Sequence, residues 1–114
     1  MKSKLVTLVF AFLISASTVF AAEKTEKIVV KGNCSMCEKR IEKVVQEIDG
    51  VTKADWDKTT KKLKVTFEDT KTDIDKIEIS IAKVGHDTPN HKADNEVYNK
   101  LPDCCKYREN AKTH

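Results

Sequence analysis

The chain has 114 residues, 34% of them charged, with 21 Lys and Arg against 18 Asp and Glu. That length suits one small α+β module with a modest core better than a pocketed enzyme. A charge balance so near neutral argues against nucleic acid as the main partner.

Met1–Lys4 is short and basic, and Leu5–Phe20 is apolar and uncharged. Val19-Phe20-Ala21 offers small residues at a cut site, and charges begin at Glu23. Residues 1–21 therefore read as a secretory signal peptide. A retained membrane anchor is the alternative, because the apolar run nearly reaches spanning length. Cleavage would leave 93 residues and, with Lys2 and Lys4 removed, lower the net charge from +3 to +1. Export, to the periplasm, would place all four cysteines in an oxidising compartment. No cysteine ends the apolar run to carry a lipid.

Glu26–Gly32 is rich in β-branched residues and predicts a short strand. Ser35 followed by Glu38 is a capping-box pattern, so a helix should begin near Met36. Ile41, Val44, Val45 and Ile48 form its apolar stripe, and Gly50 is the expected stop. Val51–Trp56 predicts a second strand with Ala54 and Trp56 on one face. The Asp57–Lys62 stretch is polar and turn-like. Leu63, Val65 and Phe67 then alternate with polar residues as a half-buried strand. Thr72 with Asp75 suggests a second cap, ahead of a stripe of Ile74, Ile77, Ile81 and Val84 that stops at Gly85. His86–Thr88 is a strand stub closed by Pro89. The order is βαββαβ, which predicts an α+β, ferredoxin-like antiparallel sheet with two helices on one face. The domain spans 22–89. Residues 90–114 form a short extension containing Cys104 and Cys105, anchored by Val97, Tyr98, Leu101 and Tyr107. A short helix near Ala93–Lys100 would end at Pro102.

Cys34 lies in the loop after the first strand and Cys37 in the first turn of the first helix. Unpaired N–H groups and the helix dipole favour the thiolate there. Two sulfurs at this spacing can converge on one soft ion, such as Cu(I), or supply part of a Zn(II) shell. No phosphate loop, Ser-His-Asp set or pair of catalytic carboxylates appears, so no enzymatic machinery is visible. Lys39, Arg40 and Lys43 read as a solvated helix face or as a docking patch for an acidic partner.

Residues 26–88 resemble the heavy-metal-associated domain family of copper chaperones, mercury-binding periplasmic proteins and the N-terminal modules of metal-pumping ATPases. The resemblance rests on Cys34-x-x-Cys37 at the loop-to-helix junction, the βαββαβ order, the Ile48-Asp49-Gly50-Val51 link and the Val84-Gly85-His86 turn. The family usually places Gly-Met-Thr or Gly-Met-Asp before the first cysteine. Here Lys31-Gly32-Asn33 stands there, without the methionine that underlies the loop. The resemblance puts the turn of His86 beside the metal loop, as a third ligand or as an exposed turn residue.

Cys104 and Cys105 leave three readings open. They add sulfurs to the Cys34/Cys37 site, they form disulfides with that pair, or one pairs while the other stays free. A tail docked near the metal loop is the expected arrangement. The leading reading is an exported, monomeric metal-binding protein with no stable membrane association once processed. Its metal candidates are Cys34, Cys37, His86, Cys104 and Cys105. Its cargo is Cu(I) first, with Zn(II) or Hg(II) as alternatives. It would pass the ion by thiolate exchange to a metal-transporting membrane protein or another carrier. The competing reading is a periplasmic thiol–disulfide module on the C-x-x-C pair, although the aromatic-Cys-Gly-Pro-Cys core of thioredoxin-like dithiols is absent.

Overall fold

The computed structural model describes residues 22–110. The signal peptide expected over 1–21 lies outside them. Among the described residues no helix is long and apolar enough to cross a membrane.

The elements run β1 (Glu23–Val29), α1 (Ser35–Gln46), β2 (Val51–Trp56), β3 (Lys62–Glu68), α2 (Ile74–Lys83), α3 (Asn95–Asn99), a 3-10 turn (Asp103–Cys105) and α4 (Tyr107–Asn110). The sheet has the antiparallel order β1-β3-β2, with β1 pairing β3 from Glu23↔Glu68 to Val29↔Lys62. β2 and β3 form a hairpin whose register shifts between Val51 and Lys53. Its turn is held by the Asp57 carboxylate, which accepts from the amides of Thr59 (2.7 Å) and Thr60 (3.0 Å).

One face of the sheet supplies Ile28, Ala54, Trp56, Leu63, Val65 and Phe67 to the core. The helices bring Ile41, Val45, Ile77 and Ile81 against them. Period-two alternation in the strands and the helical stripes put these apolar sets on facing surfaces.

Three local expectations differ from the structure. Helix α1 begins one residue earlier, at Ser35. Cys34 holds the N-cap position and no side chain closes a full capping hydrogen bond, so the expected Ser35 box does not form. In α2 the cap is Asp73, which accepts from the Lys76 amide at 2.9 Å, rather than Thr72. Helix α1 ends at Gln46 with Glu47 as its C-cap. Gly50 serves the turn into β2, where its φ of +102° suits glycine.

Among the described residues His86–Thr88 forms no strand. A single backbone bond, Lys31 N to Asp87 O (3.0 Å), remains of the expected edge ladder. The Asp87 amide donates instead to the Tyr107 hydroxyl (2.9 Å), and Pro89 follows directly. Tertiary contact has taken the place of the ladder.

The tail shares the core of the domain through Tyr98, Leu101, Cys105 and Tyr107. Leu101 packs on Gly85, where an added Cβ would sit 2.9 Å from Leu101 Cδ2 at a φ of +107°. Arg108 grips the Asp87 carboxylate from Nη2 (2.8 Å) and Nε (3.1 Å) and stacks on the Tyr98 ring.

Candidate metal centre

The loop between β1 and α1 is short and held from below. Trp56 is 1% exposed and donates from Nε1 to the Val30 carbonyl at 3.0 Å. Its ring lies against Gly32, where a Cβ would meet Trp56 Cζ2 at 3.0 Å. The indole thus fills the space beneath the loop that a side chain at position 32 would otherwise occupy.

Cys34 Sγ stands 3.5 Å from Cys37 Sγ, 3.2 Å from Cys104 Sγ and 3.5 Å from Cys105 Sγ. The tail sulfurs are 3.9 Å from each other. All four cysteines are free thiols. The ligand atoms of Cys34, Cys104 and Cys105 lie within 4.8 Å of one another. Cys37 and Cys105 are fully buried, Cys34 is half-buried and Cys104 is exposed. Met36 Sδ adds a thioether 3.6 Å from Cys104 Sγ at the outer rim.

Burial pushes the Cys34 thiol up. The Cys37 amide and the thiols of Cys104, Cys105 and Cys37 more than offset this, and the Cys34 pKa falls from 9.0 to about 6. Cys34 is therefore largely thiolate at neutral pH. The Cys104 thiol is held up chiefly by its contact with Cys34. Burial and the Cys37 contact push Cys105 up strongly, although Arg40 Nη1 donates to its sulfur at 3.3 Å. Arg40 is thus tied into the site, not only part of a solvated face. Its neighbours along α1 gave no signal of this, because the sulfur it meets is 65 residues away in sequence.

His86 is fully buried, which rules out the exposed-turn reading. Its Nδ1–H donates to the Lys31 carbonyl at 2.7 Å, and its ring stacks on Tyr107 at 5.5 Å between centroids. Its Nε2 is buried without a partner, and the ring stands outside the group formed by Cys34, Cys104 and Cys105. Burial, with the nearby charge of Arg40, depresses its pKa to about 4, against the Lys31 carbonyl and Asp87, which favour the protonated ring.

That shift gives a pH prediction for the apo protein. The unfolded histidine titrates near 6.5 and the folded one near 4. Between those values the unfolded state binds more protons. The contribution is fully present above 6.5 and lost as pH falls toward 4, by up to about 3 kcal/mol. Urea unfolding of wild type and His86→Leu from about pH 7 to about pH 4.5 should show a steeper loss in the wild type. Equal slopes would refute the buried neutral histidine.

Tyr107, an expected tail anchor, and Asp87, which the sequence does not single out, hold the arrangement. Tyr107 donates to the Gly85 carbonyl at 2.7 Å and accepts from the Asp87 amide. Asp87 also accepts from the Ala93 amide at 2.8 Å. His91 pairs with Asp75 at 2.7 Å, outside the group of cysteines.

The sequence profile of the heavy-metal-associated domain matches residues 28–87. The chain is 39% identical over 67 residues to a copper-exporting P-type ATPase of Staphylococcus aureus, covering 59% of this chain and 8% of that protein. It is 36% identical over 69 residues to the mercuric transport protein periplasmic component of Pseudomonas aeruginosa, covering 60% of this chain and 76% of that protein. Among solved structures it resembles oxidised MerP from Ralstonia metallidurans CH34 (TM-score 0.57, 32% identity, 59% of this chain and 94% of that one). It also resembles a CopZ metallochaperone (TM-score 0.56, 29% identity, 57% of this chain and 98% of that one). Cys104 and Cys105 lie beyond the span matched by the profile.

Proposed function

Because the chain belongs to the heavy-metal-associated domain family, we propose that it is an exported, non-catalytic carrier that captures a soft metal ion, Cu(I) foremost, and hands it on. The carrying observation is the convergence of Cys34 and Cys37, 3.5 Å apart, at the loop-to-helix junction. A half-exposed thiolate at Cys34 can take an ion from solution or from another protein, while buried Cys37 fixes the second sulfur. Handover then proceeds by thiolate exchange. An incoming sulfur bonds to the ion before an outgoing one leaves, so the ion is never bare. A metal-transporting membrane protein fits as the recipient, a reading supported by the likeness to a copper-exporting ATPase. Residues 1–21 and the likeness to a periplasmic mercuric transport component favour work in the periplasm.

Anaerobic titration of the reduced protein with Cu(I), Zn(II) and Hg(II) against a competing chelator tests this. Tight stoichiometric binding of at least one soft ion is expected. No binding, together with reductase activity toward a disulfide substrate, would instead favour the thiol–disulfide reading, which the 3.2 Å approach of Cys34 and Cys104 makes chemically accessible.

A further inference from the structure

Resting on that carrier reading, we infer that Cys104 and Cys105 close the Cys34/Cys37 loop into one multi-thiolate site. The chain then holds its ion with three or four sulfurs rather than two.

The distances carry this. A metal–thiolate bond of about 2.3 Å would place two sulfurs about 4.6 Å apart across a linear ion and about 3.8 Å apart around a tetrahedral one. The contacts made by Cys34 run from 3.2 to 3.5 Å, and the tail pair is 3.9 Å apart. This cluster is already near the spacing of a higher-coordinate site. A linear pair on Cys34 and Cys37 would have to spread from 3.5 Å, while Cys34 already has the two tail sulfurs at 3.2 and 3.5 Å.

The tail cysteines are held there by packing that needs no metal. Leu101 sits on Gly85, Tyr107 bonds to both Gly85 and Asp87, and Arg108 clamps Asp87. The 3-10 turn at Asp103–Cys105 then presents two consecutive sulfurs, one buried and one exposed, to the loop. A site with several thiolates accumulates negative charge, and the Arg40 guanidinium, 3.3 Å from Cys105 Sγ, offsets it.

The site has an inner and an outer side. Cys105 and Cys37 are buried, whereas Cys104 is exposed beside Met36. An acceptor thiol therefore meets the ion at Cys104. The bond from the acceptor sulfur forms, the Cys104–metal bond breaks, and the Cys104 thiolate takes up the proton that the acceptor thiol gives away. No oxidation state changes. The tail in effect occupies the position of an acceptor, so it strengthens retention and slows release.

The test uses reduced full-length protein loaded anaerobically with one equivalent of Cu(I). X-ray absorption at the copper edge counts sulfur neighbours, with three or four expected in the wild type and two in a Cys104→Ser/Cys105→Ser double variant. Chelator competition should show the double variant binding at least about tenfold more weakly, as expected when intramolecular ligands are lost. It should also release copper to a small dithiol faster. Cys104→Ser alone, at an exposed position, guards against misfolding from change at buried Cys105, and it should move both readouts in the same direction. Two sulfurs in the wild type, or unchanged affinity and release in both variants, would overturn the inference. If that two-sulfur binding still disappears in Cys34→Ala, the carrier reading stands without the tail. If the wild type takes no copper, the inference falls, and if it binds none of Cu(I), Zn(II) and Hg(II), the carrier reading falls with it.

Discussion

A Cys34→Ala protein is expected to lose soft-metal binding by more than about a hundredfold while its apo form stays folded. The magnitude follows because loss of a group that merely orients a ligand already costs about 10–100-fold, and Cys34 would be the ligand itself. The position makes the loss hard to repair. Cys34 is the sulfur in contact with all three others, at 3.2 to 3.5 Å, so its removal breaks every pair it joins in the cluster. It is also the thiol whose pKa falls to about 6. Alkylation of the apo wild type should therefore rise as pH passes upward through about 6 and occur first at Cys34. Folding is spared because the side chain is only half-buried and makes no capping hydrogen bond. Chelator competition and mass mapping of the alkylated peptide check the two parts. Retained affinity in Cys34→Ala would remove the proposed site from this loop.

Trp56→Ala is expected to cost about 3–5 kcal/mol, the range for deleting a large buried aromatic. Domains of this kind are stable by only about 5–15 kcal/mol, so much of the total is at stake. The indole is 1% exposed, bonds to the Val30 carbonyl and underlies Gly32. Its loss would open a cavity beneath the metal loop and leave a buried carbonyl without its partner. Trp56→Phe keeps most of the ring but not the N–H, and should cost less. Urea denaturation monitored by far-ultraviolet circular dichroism measures both. A Trp56→Ala protein within about 1 kcal/mol of wild type would show that the loop does not depend on this residue.

The elements legible in the sequence were those whose signal is periodic. The expected β2 strand has the observed bounds, and the alternation of Leu63, Val65 and Phe67 matches their burial in the core. The apolar stripes mark both long helices. Their caps lie one residue from the expected positions, at Cys34 and Asp73, because adjacent polar residues offer alternative helix starts. The missing methionine before Cys34 implied a gap under the loop. Nothing local could show that Trp56, more than twenty residues on, fills it.

The sequence by itself determined the βαββαβ plan up to its last strand, the family of residues 28–87, and the placement of Cys34 and Cys37 where a loop becomes a helix. These follow from local spacing, turn residues and amphipathic period, which act between near neighbours. Only the tertiary structure decided that His86 is buried, that Arg40 faces a sulfur, and that Cys104 and Cys105 meet Cys34. It also decided that Tyr107 and Arg108 take over the bonds of the unformed last strand. Each of those contacts joins residues 20 or more positions apart. Their geometry depends on how a packed tail settles on the core, which no repeating pattern in the chain encodes.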